Sequence, residues 1–311
     1  MIATVTLNPA IDKSVLAPGF EAGKTNRCEV VRLDAGGKGI NVAKVLHRLG
    51  SPVCALGLIG GANGRFILEA LAAEGIPADF VPVRGETRVN LKISDPEKGR
   101  ETEINEPGFQ VTAEELTQLK QKVKQHAAAC EVVVLSGSLP PAAPPEIFAE
   151  LIQLAKAQGA RCFLDTNGAA LALGLAAGPY LVKPNRVEVE ELLNWPLLGR
   201  PELVQAARTL TFMGCEQAVI SLGAEGAVGA TGKQVLFAQP PVVSVRSSVG
   251  AGDTMVAILV QAAVTGMPFA EAFRMAVAAS AATVSMEGTK LADPAAIQAL
   301  IPQVTMEEAG A

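Results

Sequence analysis

The segment Ser248-Val249-Gly250-Ala251-Gly252-Asp253-Thr254 sets a carboxylate directly behind three small residues and directly ahead of an apolar run. A loop feeding a helix start gathers free backbone N–H groups at the positive end of the helix dipole, and small side chains let a phosphoryl group approach that backbone. Gly250, Ala251 and Gly252 are therefore candidate phosphoryl binders. Asp253 would repel phosphate as a ligand, but a carboxylate placed beside it is suited to take the proton of an attacking hydroxyl. The pattern predicts a kinase. The same residues also fit an ordinary turn with Asp253 as a helix N-cap.

Three further segments carry candidate chemistry. Asp34-Ala35-Gly36-Gly37-Lys38-Gly39-Ile40-Asn41 is a second glycine-rich entry to a helix. Its glycines permit close approach to sugar hydroxyls, Asn41 offers a donor and an acceptor, and Lys38 is a point charge for phosphate. A turn with a solvated lysine fits equally. Lys183-Pro184-Asn185-Arg186-Val187-Glu188 ends a strand and opens a helix with Asn185 and Glu188 on one face. That spacing suits Mg²⁺ held through water, and it equally suits a capping box. Ser221 to Gly226 and Ser136 to Pro140 are strand-to-turn joints, weak singly but expected to open on one side of a parallel sheet.

Several classes of function lose support. The 311 residues carry a net charge of −5 and gather no basic stripe, so nucleic acid and anionic membrane are not expected partners. Neither a P-loop nor a Rossmann fingerprint is present. His47 and His126 fall in helix-like stretches among Lys and Arg and read as solvated surface positions, which removes a Ser-His-Asp arrangement. The five cysteines are odd in number and never spaced Cys-x-x-Cys, so they read as small buried hydrophobes. The start, Met1 to Asn8, reads as a first strand, and a reducing cytoplasm is the expected home.

The elements that must position these residues show as an alternation. Val53 to Leu58, Val132 to Leu135, Cys162 to Leu164, Tyr180 to Val182 and Ala218 to Leu222 read as buried strands, each followed by a helix-like stretch. Such βαβ units build a parallel sheet with ligands beyond the strand carboxyl ends. Met255 to Val264 reads as a core helix, too short to span a membrane. Val15 to Leu33 and Val81 to Glu106 depart from the rhythm with polar and apolar alternation, which predicts antiparallel strands in a small sheet standing off the main body as a lid. Thr305 to Ala311 reads as a frayed tail.

Taken together and in this order, these segments resemble the phosphofructokinase-B group of the ribokinase-like carbohydrate kinases over essentially the whole chain. Gly36-Gly37-Lys38-Gly39-Ile40-Asn41 is similar to the first signature of that family, and Ser248 to Asp253 to the second. Thr6 to Ala10, Ala35 to Asn41, Ser136 to Pro140 and Ser221 to Ala227 are most similar to the branch that phosphorylates fructose 1-phosphate, with tagatose-6-phosphate kinases close behind.

The resemblance implies an α/β fold, a ribokinase-like central and mostly parallel sheet flanked by helices. One domain over 1–311 would carry a small β-sheet lid from segments about 13–33 and 82–106. It implies that Asp253 is the general base and that Gly250, Ala251 and Gly252 supply amides to the transferring phosphoryl group. Asp12, Gly36, Gly37 and Asn41 would bind sugar hydroxyls, and Lys38, Arg88, Ser138 and Lys24 the sugar phosphate end. Lys183, Asn185, Ser221, Gly223 and Gly226 would serve ATP, with Glu188 and Asn185 facing Mg²⁺ through water and a monovalent cation as an optional companion. The implied activity is ATP-dependent phosphorylation of fructose 1-phosphate, with tagatose 6-phosphate or fructose 6-phosphate as alternative acceptors. A homodimer formed lid to lid would cover the exposed small sheet. A catalytically silent sugar-phosphate sensor on the same scaffold is the reading outside enzymology.

Overall fold

Runs such as Val132-Val133-Val134-Leu135, apolar at every position, suit strands buried on both faces, and they form the centre of a mixed sheet. The structure is a computed structural model and describes residues 1–247, 249–286 and 293–309. Ser248 of the glycine-rich segment and the final two residues of the tail lie outside the described residues.

The strands are β1 (Ile2–Thr6), β2 (Ala10–Leu16), β3 (Glu29–Gly36), β4 (Val53–Ile59), β5 (Ala78–Pro82), β6 (Arg88–Asp95) and β7 (Arg100–Asn105) in the first third. They continue as β8 (Val132–Ser136), β9 (Arg161–Asp165), β10 (Leu181–Val182), β11 (Gln217–Ser221), β12 (Ala227–Thr231), β13 (Val235–Gln239) and β14 (Thr305–Glu308). The helices are α1 (Lys38–Arg48), α2 (Gly61–Ala73), α3 (Ala113–Ala127), α4 (Ile147–Lys156), α5 (Gly168–Ala176) and α6 (Arg186–Leu193). They are followed by α7 (Arg200–Phe212), α8 (Ala251–Thr265), α9 (Phe269–Val284) and α10 (Pro294–Leu300).

Among the described residues the main sheet runs β14-β13-β12-β11-β10-β9-β8-β1-β4-β5, parallel from β11 through β5 and antiparallel from β11 out to β14. Alternate residues of β1 show why helices cover both faces: Ala3 and Val5 join the core under α3, α4 and α7, while Ile2 faces the core under α1, α8 and α9. Phe148 and Phe273 are fully buried on opposite faces, each worth about 2 kcal/mol of transfer free energy. Gly39 lets α1 lie against β1, since a Cβ there would meet Thr6 Oγ1 at 2.4 Å.

The lid is a separate sheet ordered β3-β2-β6-β7. The antiparallel expectation describes the pairs β2·β3 and β6·β7, whereas β2 and β6 run parallel, because each hairpin returns to the main body before the other begins. Val81 belongs to β5 of the main sheet. The tail is not frayed through Glu308: Thr305–Glu308 pairs antiparallel with β13, and the Ala309 N–H donates to the Val235 carbonyl at 2.8 Å. Cys28 is exposed, unlike the other four cysteines, which are buried, and all five are free. Both histidines are half-buried, and His126 Nε2 stands 2.9 Å from Asp79 Oδ2, so neither is a simple solvated position. No helix among the described residues is long and apolar enough to cross a membrane.

Candidate active site

The parallel strands deliver their last residues to one edge: Ser136 from β8, Asp165 from β9, Lys183 just beyond β10 and Ser221 from β11. Helices α1 and α8 pack together above that edge and bring the two glycine-rich segments into contact. Gly250, in the left-handed region at φ 79°, precedes the first turn of α8, and no side chain caps that end. Asp253 is not an N-cap. It lies inside the first turn, 6 % exposed, and its Oδ2 accepts a hydrogen bond from Asn41 Nδ2 at 2.8 Å.

Burial pushes the Asp253 carboxyl up to about 6, helped by the negative charge of Asp165 and opposed by the Asn41 hydrogen bond and the charges of Lys38 and Lys183. A carboxylate tuned to that range is ionised at neutral pH and still basic enough to hold a proton in passing. Lys38 is half-buried, not a solvated lysine. Burial works against its charge, but Asp165, Glu188 and Asp253 outweigh burial and raise its pKa.

One cavity of about 230 Å³ lies between the lid and α1, lined by Asp12, Gly37, Lys38, Asn41, Arg88 and Asn90 among others. Asp12 Oδ1 accepts from Asn90 Nδ2 at 2.9 Å, and burial raises the Asp12 carboxyl despite that bond. Gly36 has to be glycine at this point, since a Cβ would sit 2.1 Å from Asp12 Oδ2. The Arg88 guanidinium donates to the carbonyls of Glu106 and Asn8 at 3.1 and 3.3 Å, which aims it along the cavity wall.

A second groove, about 490 Å³ and mostly apolar, opens on the other side of α8. Ser221, Gly223 and Gly226 form one wall, Val243 and Val245 another, and Ala251 and Gly252 the end nearest Asp253. Gly226 combines φ 99° with a Cβ position 2.0 Å from the Ala238 carbonyl, so the turn admits no side chain. Asn185 bridges to Ser221, whose N–H donates to the Pro184 carbonyl at 3.0 Å. Asn185 and Glu188 form a full capping box for α6: Asn185 Oδ1 accepts from the Glu188 N–H at 2.9 Å and Glu188 Oε2 from the Asn185 N–H at 2.8 Å. Glu188 keeps its second carboxylate oxygen for other work.

The residues expected at the sugar and at the nucleotide therefore meet on the two sides of Asp253. Ser138 follows Gly137, whose added Cβ would lie 3.9 Å from that of Lys38, but Ser138 does not line the sugar cavity itself. Lys24 is not brought to the site. It sits exposed in the lid loop, paired with Glu21. Asp165 and Asn90 escaped the reading of the sequence. Asp165 directly follows the apolar run Cys162 to Leu164 at a parallel strand's carboxyl end, a position that is itself a signal. Asn90 carries no such mark and is found only through the β2·β6 register, which sets it opposite Asp12.

A model described as pfkB family carbohydrate kinase matches residues 5–296. The 1-phosphofructokinase of Rhodobacter capsulatus is 40% identical over 307 residues, 98% of this chain and 97% of that protein. The 1-phosphofructokinase of Xanthomonas campestris pv. campestris is 45% identical over 264 residues, 83% of each. The solved structure of phosphofructokinase-2 from Escherichia coli in complex with potassium aligns with a TM-score of 0.92 at 33% identity, covering 97% of this chain and 98% of that one.

Proposed function

We propose, from the premise that this chain belongs to the pfkB family of carbohydrate kinases, that it transfers the γ-phosphoryl group of ATP to the C6 hydroxyl of fructose 1-phosphate. The products are fructose 1,6-bisphosphate and ADP. The observation that carries the reading is Asp253, a buried carboxylate that stands where a polar cavity and an apolar groove converge on the start of α8.

In this reading the sugar lies in the cavity under the lid, its hydroxyls held by the Asp12·Asn90 pair, Asn41 and the backbone at Gly36 and Gly37. Arg88 and Lys38 take the sugar's own phosphate. ATP lies with its base in the apolar groove and its phosphates toward Lys183 and the amides of Gly250, Ala251 and Gly252. Asp253 takes the C6 hydroxyl proton as that oxygen bonds to phosphorus and the bond to the ADP oxygen breaks. The amides hold the equatorial oxygens, at about 3 kcal/mol for each well-placed donor. Closure of the lid keeps water from competing with the sugar.

Among the described residues no group of three or more His, Cys, Asp or Glu is placed to hold a metal alone. That donor set fits Mg²⁺ arriving on ATP, which keeps several waters and takes most of its ligands from phosphates, with Glu188 offering its second carboxylate oxygen through water. When bound, Mg²⁺ neutralises charge on the phosphate oxygens. A monovalent cation beside the anion site accords with the potassium complex of the related phosphofructokinase-2. A homodimer through the lids and a cytoplasmic home complete the reading; the five unpaired cysteines suit a reducing compartment.

The test is ADP release measured by a coupled assay across fructose 1-phosphate, fructose 6-phosphate, tagatose 6-phosphate and fructose. The expected result is the highest kcat/KM with fructose 1-phosphate. Preference for another acceptor replaces the substrate, and silence with all four leaves a sugar-phosphate sensor.

A further inference from the structure

None of the roles above uses Asp165, which is 1 % exposed at the end of β9. Lys38 Nζ donates to its Oδ1 at 2.9 Å, and Lys183 Nζ stands 3.6 Å from the same oxygen. Its Oδ2 is buried with no hydrogen-bond partner among the described residues. The backbone around it is fixed: the Gly137 N–H donates to the Asp165 carbonyl at 2.9 Å, and Thr166 Oγ1 donates to the Gly137 carbonyl at the same distance.

The two ammonium groups come from different sides of the reaction. Lys38 opens α1 and lines the sugar cavity. Lys183 follows β10 on the nucleotide side, and its Nζ lies 3.4 Å from where a Cβ on Gly252 would stand, in the loop that receives the phosphoryl group. Lysine side chains are long and flexible, so a cation needed at a defined point requires an anchor. Buried charges persist when paired, and one carboxylate serves two ammonium groups here.

We infer that Asp165 is a positioning residue for phosphoryl transfer: it holds Lys38 on the sugar side and Lys183 on the nucleotide side of the site, next to Asp253. The inference rests on the kinase reading of the site. The groups that act on Asp253 are Asn41 and Lys38 from α1, Lys183 from beyond β10 and Asp165 from β9. Asn41 and the two lysines favour the ionised form. Asp165 opposes it directly and also draws the two ammonium groups to itself.

Asp165→Asn keeps the shape and removes the charge. The expected result is a rise of at least about fivefold in KM for both ATP and fructose 1-phosphate, together with weaker ATP binding by calorimetry. The acid limb of the kcat/KM profile should also move down by about half a pH unit or more, since the charge opposing Asp253 ionisation is gone. A merely structural lesion would lower activity and leave that limb in place. Asp165→Glu keeps the charge but displaces it, so the limb should stay near the native position while both KM values rise. A folded Asp165→Asn protein with an unmoved limb overturns the inference whatever its KM values, and so do KM values for both substrates within about twofold of native. Should Asp165→Asn fail to fold by circular dichroism, native KM values in Asp165→Glu overturn it instead. Asp253→Asn assayed alongside separates the two readings: surviving turnover there sinks the kinase mechanism, whereas an unchanged Asp165→Asn profile sinks only the role of Asp165.

Discussion

Asn41 and Asp253, 212 positions apart in the chain, are joined by a hydrogen bond of 2.8 Å that ties the start of α1 to the start of α8. The bond fixes one oxygen of the proposed base and favours its ionised form. Asn41→Ala should therefore raise the Asp253 pKa above its value of about 6 and move the acid limb of kcat/KM toward higher pH. A pH–rate profile checks this, and a limb that moves down or stays put contradicts it. The direction is opposite to that expected for Asp165→Asn, so the pair of variants tests the charge balance from both sides.

Asp253→Asn keeps the shape of the side chain and removes its basicity. General-base catalysis contributes about 10²–10⁴-fold, so kcat should fall by about a thousandfold. KM for ATP should change little, because the apolar groove is untouched. In the native protein kcat/KM should be level well above pH 6 and decline as pH falls through about 6, where Asp253 becomes protonated. A profile flat down to pH 5 would show that another group carries the proton.

Gly36→Ala tests the sugar side alone. The new Cβ would stand 2.1 Å from Asp12 Oδ2, inside contact distance, so Asp12 must swing away from Asn90. KM for the sugar phosphate should rise at least about tenfold while KM for ATP stays within about twofold. Equal losses for both substrates would place Asp12 outside the sugar subsite.

Much of the main sheet was legible because a parallel strand is buried on both faces and shows as an apolar run, as Val132 to Leu135 does. The glycine segments were legible for a related reason: Gly36 and Gly250 sit where a side chain would collide or where φ is positive. Asp165 was missed because its meaning lies in Lys38 and Lys183, which approach it from two other elements. The tail was misread because Thr305-Met306-Glu307-Glu308 is polar on the side it shows to solvent, and only the pairing with β13 makes it a strand. Lys24 entered only through the family resemblance, and in the structure it stands exposed in the lid loop, paired with Glu21.

Glu188 has two separable duties, since one oxygen closes the capping box of α6 and its charge also acts on Lys38 at the site. Gln at the third helical position still completes such a box, whereas Ala does not. Glu188→Gln should keep the native melting temperature yet need several times more Mg²⁺ for half-maximal activity. Glu188→Ala should lose about 1 kcal/mol of stability in addition. Thermal melts with Mg²⁺ titrations separate the two, and an unchanged Mg²⁺ requirement in both variants removes Glu188 from the metal's surroundings.

The lid explains why a dimer is expected. Its register places Leu33, Lys13, Leu91 and Ile104 in one row across all four strands, and Leu33 and Ile104 are 46% and 53% exposed. Val31, at 64%, extends the apolar surface along β3. A small sheet with apolar residues outward and two open edges gains by pairing with a second copy. The native protein should sediment at about twice the 32.1 kDa chain mass. Leu33→Asp combined with Ile104→Lys should shift it toward the monomer and, if the paired lids close over the sugar, raise KM for the sugar phosphate more than KM for ATP. Analytical ultracentrifugation of both proteins decides the matter: a native monomer, or a dimer indifferent to both charges, places the contact elsewhere.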